Sequence, residues 1–288
     1  MSSDDVISWG LARRCVSDLR SETNNRSERL SQVLLGDAVC ILEEQSDWYH
    51  VRMERDGYSG WVHANAILRA DLQEVKAYQE ECDVCVIAEM LPARLPESST
   101  SQIEDQRDFV GKLPFGLRLH MVDRHNQQAI LRHPDGTLWQ VSTNGLLERE
   151  RWPLPNEQGI EFTLSFIHRM IGVPYLWGGR TPFGYDCSGL TQTFLNFIGL
   201  KVPRDADQQF MAGIPLLDSP RPGDLLFFGE AGSQRYANVT HVAISLGGDE
   251  IIHANGAAWS ISINSLDSSS HLYRSWLKEQ LIGIRRFG

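Results

Sequence analysis

The chain has no run of eighteen apolar residues anywhere in its 288, which excludes a membrane-spanning helix of ordinary length. Cysteine is scarce: five residues, an odd number and too few for this length to staple a disulfide framework, so a reducing compartment is expected. Positive charge is also short, with 27 lysines and arginines against 37 aspartates and glutamates and a net charge of −10. That balance argues against nucleic acid or an anionic membrane surface as a partner. The opening Met1-Ser-Ser-Asp-Asp5 lacks the basic and apolar regions of a secretory signal, and the expectation is therefore a cytoplasmic protein. Metal-ligand spacing is missing too. Cys82-Asp-Val-Cys85 is a lone C-x-x-C with no second Cys or His pair after it and no thioredoxin-like βαβ pattern around it, so it reads as structural. No metal is expected.

What is present is a globular composition, 42% hydrophobic and 22% charged, in a chain long enough for two or three domains. Two stretches of the first half echo each other. Asp56-Gly-Tyr-Ser-Gly-Trp-Val62 and Asp135-Gly-Thr-Leu-Trp-Gln-Val141 each read as an Asp-Gly turn feeding a strand, a hairpin signal when alternating runs flank it. Upstream, Leu34–Leu42 has a counterpart in Leu113–Met121. The order of these pieces predicts two small all-β barrels, residues 1–70 and 71–155, with Asp71–Tyr78 as a connector and Leu95–Gln102 as a polar loop.

Trp152-Pro-Leu-Pro155 breaks any regular element, and the texture changes after it. Phe162–Met170 has helical spacing. Asp186–Gly199 reads as a helix with Asp186 as N-cap, Leu190, Phe194 and Phe197 on one face and Gly199 at its exit. Strands are predicted at Asp224–Phe228, His241–Leu246, Glu250–Ala254, Ile261–Leu266 and Leu281–Arg286. Residues 156–288 are therefore expected to form an α+β domain with helices against one antiparallel sheet.

The chemically loaded segments lie in this last region: Tyr175-Leu-Trp-Gly-Gly-Arg-Thr-Pro-Phe-Gly-Tyr-Asp-Cys-Ser-Gly-Leu190, Thr240-His-Val-Ala-Ile244 and Ile252-His-Ala-Asn-Gly256. Only a thiolate attacks an acyl carbon, and a helix N-terminus favours negative charge. Cys187, one residue after the inferred cap, is placed for that. Alternation puts His241, Ala243 and Ser245 on one face of their strand, with Val242, Ile244 and Leu246 on the core face. His253 shares a face with Ile251 and Asn255. Two neighbouring strands would thus hold His241 as base and His253 as the group that fixes its tautomer. An isolated buried cysteine is ordinarily a small apolar filler, which is the reading for Cys15 and Cys40. The glycine-rich approach, the helix start and the two downstream histidines set Cys187 apart.

In its last domain the sequence resembles the NlpC/P60 family of cysteine peptidases. The matching residues are Pro174-Tyr-Leu-Trp-Gly-Gly179, Asp186-Cys-Ser-Gly-Leu190, Pro203-Arg-Asp205, Pro222-Gly-Asp-Leu-Leu-Phe-Phe228, Thr240-His-Val-Ala-Ile244 and Ile252-His-Ala254. The resemblance implies a papain-like α+β fold with Cys187 as nucleophile, His241 as base and His253 as third member. By analogy with that fold, the backbone at Cys187 and the Tyr175 hydroxyl would serve the oxyanion. Two SH3b-like barrels ahead of such a domain resemble the γ-D-glutamyl-L-diamino acid endopeptidases of the YkfC type. In that subgroup the first barrel closes one end of the active site, so the substrate needs a free N-terminal L-alanine. The implied substrate is the murein-derived peptide L-Ala-γ-D-Glu-diaminopimelate, met in cell-wall peptide recycling. Asp186, Ser188 and Asp205 match positions lining the pocket, with Trp177 beside them and Tyr58 and Glu22 from the first barrel. Ala206 departs from the subgroup, where a hydroxyl residue often follows the aspartate. No organic cofactor is implied. Two other readings stand beside this one: a thiol-dependent amidase or acyltransferase on another γ-glutamyl or acyl substrate, and an inert wall-peptide binding protein.

Overall fold

The computed structural model describes residues 6–96, 109–230 and 238–288, so most of the polar loop expected at Leu95–Gln102 lies outside the described residues. The chain divides into two compact units, Met1–Trp152 and Pro153–Gly288.

In the first unit, β1 (Ser8–Ala12), β2 (Val16–Arg20), β3 (Arg29–Leu34), β4 (Ala38–Gln45), β5 (Trp48–Met53), β6 (Ser59–His63) and β7 (Ile67–Ala70) form an antiparallel sheet. Its strand order is β3-β2-β6-β5-β4-β1-β7. After α1 (Leu72–Glu81) come β8 (Val84–Val86), β9 (Met90–Arg94), β10 (Phe109–Pro114), β11 (Arg118–His125), β12 (Gln128–Arg132), β13 (Leu138–Ser142) and β14 (Leu146–Glu148). Their order is β10-β9-β13-β12-β11-β8-β14, the first order with every label raised by seven. The weak sequence echo is thus a repeat of topology. Both Asp-Gly turns are where expected, and Gly57 and Gly136 take φ of 73° and 85°, which only glycine adopts without strain.

Neither of the two small barrels expected here is a closed one. Each sheet is an open ladder with distinct edge strands, and β2 meets β6, like β9 meets β13, at one register pair only. The two sheets also share packing. Leu34 and Leu35, at the end of β3, bury in the apolar cluster of the second sheet with Leu113, Leu119 and Leu131.

The connector expected at Asp71–Tyr78 is a helix. Asp71 accepts from the backbone N–H of Gln73 and Glu74, and the Glu74 carboxylate accepts from the Asp71 N–H, closing a capping box. Val75 and Tyr78 then bury against Leu11 and Ala38. Its polar outer positions hid the helical period.

In the second unit, α2 (Glu157–Arg169) starts at an Asn156 cap. The short hairpin of β15 (Arg180–Thr181) and β16 (Gly184–Tyr185) leads into α3 (Cys187–Phe197), followed by α4 (Ala206–Ala212). The sheet holds β17 (Ile214–Leu216), β18 (Leu225–Gly229), β19 (Val239–Gly247), β20 (Glu250–Asn255), β21 (Ser260–Ser265) and β22 (Leu281–Arg286), with α5 (Ser275–Gln280) before the last strand. The order is β17-β22-β18-β19-β20-β21, antiparallel throughout. All five expected strands are present.

Helices pack on this one antiparallel sheet, as expected, and they do so from both sides. Helices α3 and α4 cover β19 on one side, where Phe210 meets Phe227 edge-on at 5.3 Å. On the other side Leu277 of α5 packs with Leu226, Phe228, Ala243 and Ile251. Ala243 and Ser245 are therefore as buried as Val242 and Ile244, and alternation of polarity along β19 does not mark a solvent face.

Replacing Asp71 with Ala should destabilise the first unit by about 1 kcal/mol through loss of the α1 cap. Thermal unfolding would register this as a lowered midpoint, and an unchanged midpoint would mean that packing holds α1 without the cap.

Candidate active site

Helix α3 begins at Cys187 because Asp186 stops the chain there. Its Oδ1 accepts from the Gly189 N–H at 2.6 Å, the N-cap bond, and its Oδ2 accepts from the Gly178 N–H at 2.8 Å. The approach is tight enough to demand glycine. A Cβ on Gly189 would sit 2.1 Å from the Gly179 carbonyl oxygen, and one on Gly179 would sit 2.3 Å from that of Gly184. The Asp186 N–H closes this turn on the Gly179 carbonyl.

Asp186 is buried, and its charge is met by Arg204, 2% exposed. The guanidinium donates to Asp186 Oδ1 at 3.0 Å and Oδ2 at 2.6 Å, and to Ser188 Oγ at 2.8 Å. This two-pronged pair is the strong form of the interaction. Asp205 stands at the N-cap position of α4 without a side-chain cap bond. Beneath α3, Gln209 donates to the Ser188 and Pro203 carbonyls and accepts from Thr191.

The histidines are brought together. His241 lies on β19 and His253 on neighbouring β20, and His241 Nε2 is 2.7 Å from His253 Nδ1. The far nitrogen of His253, Nε2, lies 2.9 Å from Asn264 Oδ1 and 3.1 Å from Asn255 Nδ2. Trp276 of α5 flanks both rings at 6.1 and 6.4 Å between centroids. Cys187 meets the same region of β19, since its sulfur receives the backbone N–H of Val242, the residue after His241.

Electrostatics departs from the simple helix-dipole expectation. Burial and then the Asp186 carboxylate push the Cys187 thiol up to about 12, against the lowering contributions of the Val242 and Ser188 N–H groups and Arg204. Burial, aided by His253, holds His241 well below its usual value. Burial brings His253 down to about 4, partly offset by Asn264. The resting site is thus a neutral thiol beside neutral imidazoles. Desolvation exceeds the dipole because the helix start lies under protein rather than at the surface.

Tyr175 is half-buried. It is within electrostatic reach of Cys187, and its hydroxyl is raised by burial and by that thiol. Its N–H donates to the Trp259 carbonyl at 2.9 Å. Trp177 is largely exposed. Tyr58 and Glu22 belong to the first unit. Tyr58 packs on its first apolar cluster and follows the Asp56 turn, and Glu22 is exposed with Asn24 beside its carboxylate.

Four residues around the site were not singled out by sequence: Arg204, Asn255, Asn264 and Trp276. Arg204 lay inside a quoted motif and Asn255 on the same strand face as His253, so both carried a signal. Asn264 and Trp276 come from β21 and α5 and carried none. Among the described residues no group of three or more His, Cys, Asp or Glu side chains is arranged as metal ligands.

A buried cysteine at a helix start, with a hydrogen-bonded imidazole pair on strands packed against that helix, defines a thiol hydrolase. Residues 172–283 match the NlpC/P60 family, and residues 19–67 match a bacterial dipeptidyl-peptidase SH3 domain. A γ-D-glutamyl-L-lysine dipeptidyl-peptidase of Bacillus cereus is 26% identical over 99% of this chain and 83% of its own. The protein of the same name from Bacillus subtilis is 28% identical over 89% of this chain and 80% of its own. The crystal structure of an NlpC/P60 family protein from Bacillus cereus superposes with a TM-score of 0.81 at 20% identity, covering 97% of this chain and 99% of that one. The second unit thus carries an NlpC/P60 domain, that of a cysteine peptidase, and the first an SH3-type domain.

A thiol held up by burial beside imidazoles held down should show no reactive ion pair at acid pH. Alkylation of Cys187 by iodoacetamide is expected to climb continuously from neutral pH upward, since thiolate accumulates only as pH approaches its raised pKa. A rate plateau already reached on the acid side of neutrality would contradict the neutral pair.

Proposed function

We propose that this peptidase hydrolyses the bond between γ-D-glutamate and the following diamino acid in released cell-wall peptides that begin with a free L-alanine. The observation that carries the reading is Cys187 at the start of α3, its sulfur on the N–H of Val242 next to His241, with His241 bonded to His253, taken together with two relatives, matched over most of their length, whose name specifies γ-D-glutamyl-L-lysine and dipeptide release.

In the proposed reaction His241 takes the Cys187 proton as the sulfur attacks the γ-carbonyl carbon, and a tetrahedral oxyanion forms. The Cys187 N–H and the Tyr175 hydroxyl donate to that oxygen. The C–N bond then breaks, His241 gives its proton to the departing amine of the diamino acid, and a thioester to L-Ala-D-Glu remains. Water adds to the thioester with His241 again as base, the C–S bond breaks, and the dipeptide leaves with a γ-carboxylate while Cys187 regains its proton. His253 keeps the His241 ring oriented throughout.

Specificity is assigned to the residues around the nucleophile. Asp186, Ser188 and Asp205 line the pocket that takes the substrate ammonium, and Trp177 flanks the peptide. An acylated N-terminus has no ammonium to offer a pocket carboxylate and is therefore disfavoured. The two sheets of the first unit are read as two domains, and the reaction is placed in cytoplasmic recycling of wall peptides.

Mass spectrometry of L-Ala-γ-D-Glu-meso-diaminopimelate incubated with the protein tests this, beside its lysine analogue, its N-acetylated form and the Cys187→Ala variant. Release of L-Ala-D-Glu from the free peptides only, abolished by the substitution, is expected. Cleavage of the acetylated peptide would remove the gate, and cleavage of none would remove the substrate assignment.

A further inference from the structure

We propose that Asn264 is a positioning residue that sets the order of protons along the two-histidine relay and so keeps Nδ1 of His241, the nitrogen not bonded to His253, unprotonated. This rests on the reading of Cys187, His241 and His253 as the catalytic set.

The argument starts from a conflict at His253 Nε2. Two amides lie on it, an oxygen and an NH2 group, and they demand opposite protonation. Asn264 Oδ1, 2.9 Å away, can only accept, so it requires Nε2–H. Asn255 Nδ2, 3.1 Å away, can only donate, so it requires a bare Nε2. Neither amide is free to rotate and remove the conflict. The Asn264 NH2 donates to the Leu272 carbonyl at 3.1 Å, which turns its oxygen toward the ring. The Asn255 oxygen accepts the Ala258 N–H at 2.7 Å, which turns its nitrogen toward the ring. Burial denies the surroundings water with which to average the two.

A neutral imidazole carries one proton, so the choice at Nε2 decides everything upstream. With the proton on Nε2, given to Asn264, His253 Nδ1 is an acceptor. The 2.7 Å contact to His241 Nε2 then requires that nitrogen to be the donor. The only proton of neutral His241 is thereby on Nε2, and Nδ1 is left bare as the base. With the Asn255 choice the order reverses: His253 Nδ1–H donates to His241 Nε2, and the His241 proton sits on Nδ1. That state cannot accept a proton from a thiol at Nδ1.

Two features favour the Asn264 order. Its contact is the shorter of the two. The order also suits the charged state. When His241 becomes an imidazolium its Nε2–H still points at an acceptor, so the relay needs no rearrangement during proton transfer.

The test is 15N NMR of the imidazole rings in the full-length Cys187→Ala protein at neutral pH, which needs no substrate and no turnover. Its failure is therefore distinct from failure of the hydrolysis assay. A protonated-type shift at Nε2 and a bare-type shift at Nδ1 are expected for both His253 and His241. Protonated Nδ1 on either ring overturns the proposal. In the otherwise native enzyme, Asn264→Leu, which removes the acceptor at similar size, should lower kcat roughly tenfold to a hundredfold, as for other groups that orient a functional imidazole through its far nitrogen. KM should stay within a factor of about two, because Asn264 is assigned no contact with substrate. Should the leucine variant not fold, Asn264→Asp keeps an acceptor of the same shape. Its ionised carboxylate raises the pKa of the neighbouring imidazole, so the acid limb of the kcat/KM profile is expected to move to higher pH. A folded variant with full kcat and an unmoved acid limb would overturn the role.

Discussion

The second unit depends on where one carboxylate goes. Asp186 caps α3 through the Gly189 N–H, ties down the glycine turn through Gly178, and pairs at both oxygens with Arg204. Each bond fixes a different piece of chain: the helix start, the loop before it and the segment after α3. With the chain so held, the Cys187 sulfur accepts the N–H of Val242 in β19. A buried ion pair of this kind is poor evidence of net stability, since replacement of both partners by apolar groups is often harmless. Removal of one partner is not harmless, because an unmatched charge under protein costs roughly 3–5 kcal/mol. The pair therefore acts as a positional lock. The same carboxylate works against the thiolate through space, and Arg204 reduces that effect without cancelling it.

Burial produces the second consequence. A helix N-terminus at the surface would stabilise a thiolate, but here water is excluded from thiol and imidazoles alike, and the neutral forms win on all three groups. Charge then appears only when a substrate carbonyl is present to receive it. A thiol kept neutral between turnovers is also a poor target for stray electrophiles and oxidants, which react with the thiolate. In such a site the tautomer of a neutral imidazole matters as much as any pKa, because no excess proton is available to satisfy both ring nitrogens.

How much of this was legible in the sequence follows from what kind of information each feature needs. The helix at Cys187, its Asp186 cap and the strands bearing His241 and His253 are local patterns, and the sequence displayed them. The repeat in the first unit was legible from two Asp-Gly turns, because positive φ at Gly57 and Gly136 leaves few other residues suitable. Helix α1 was missed since only Val75 and Tyr78 are buried along it, too few to impose a period on a polar segment. The double cover of the sheet was missed for the opposite reason. Ser245 is buried as fully as Ile244, and a hydroxyl within an alternating strand does not announce burial. Arg204, Asn264 and Trp276 act across distances of eleven to thirty-five residues from the groups they touch, and no spacing rule connects them.

The central claim is that Cys187 carries the acyl group of the substrate. Acid-quenched intact-mass analysis, milliseconds to seconds after mixing enzyme with L-Ala-γ-D-Glu-diamino acid peptide, tests it directly. The account predicts a transient increase equal to the mass of the L-Ala-D-Glu acyl group, mapped to the Cys187 peptide and decaying as free dipeptide appears. Turnover that survives Cys187→Ala, with no adduct at any time point, would contradict it.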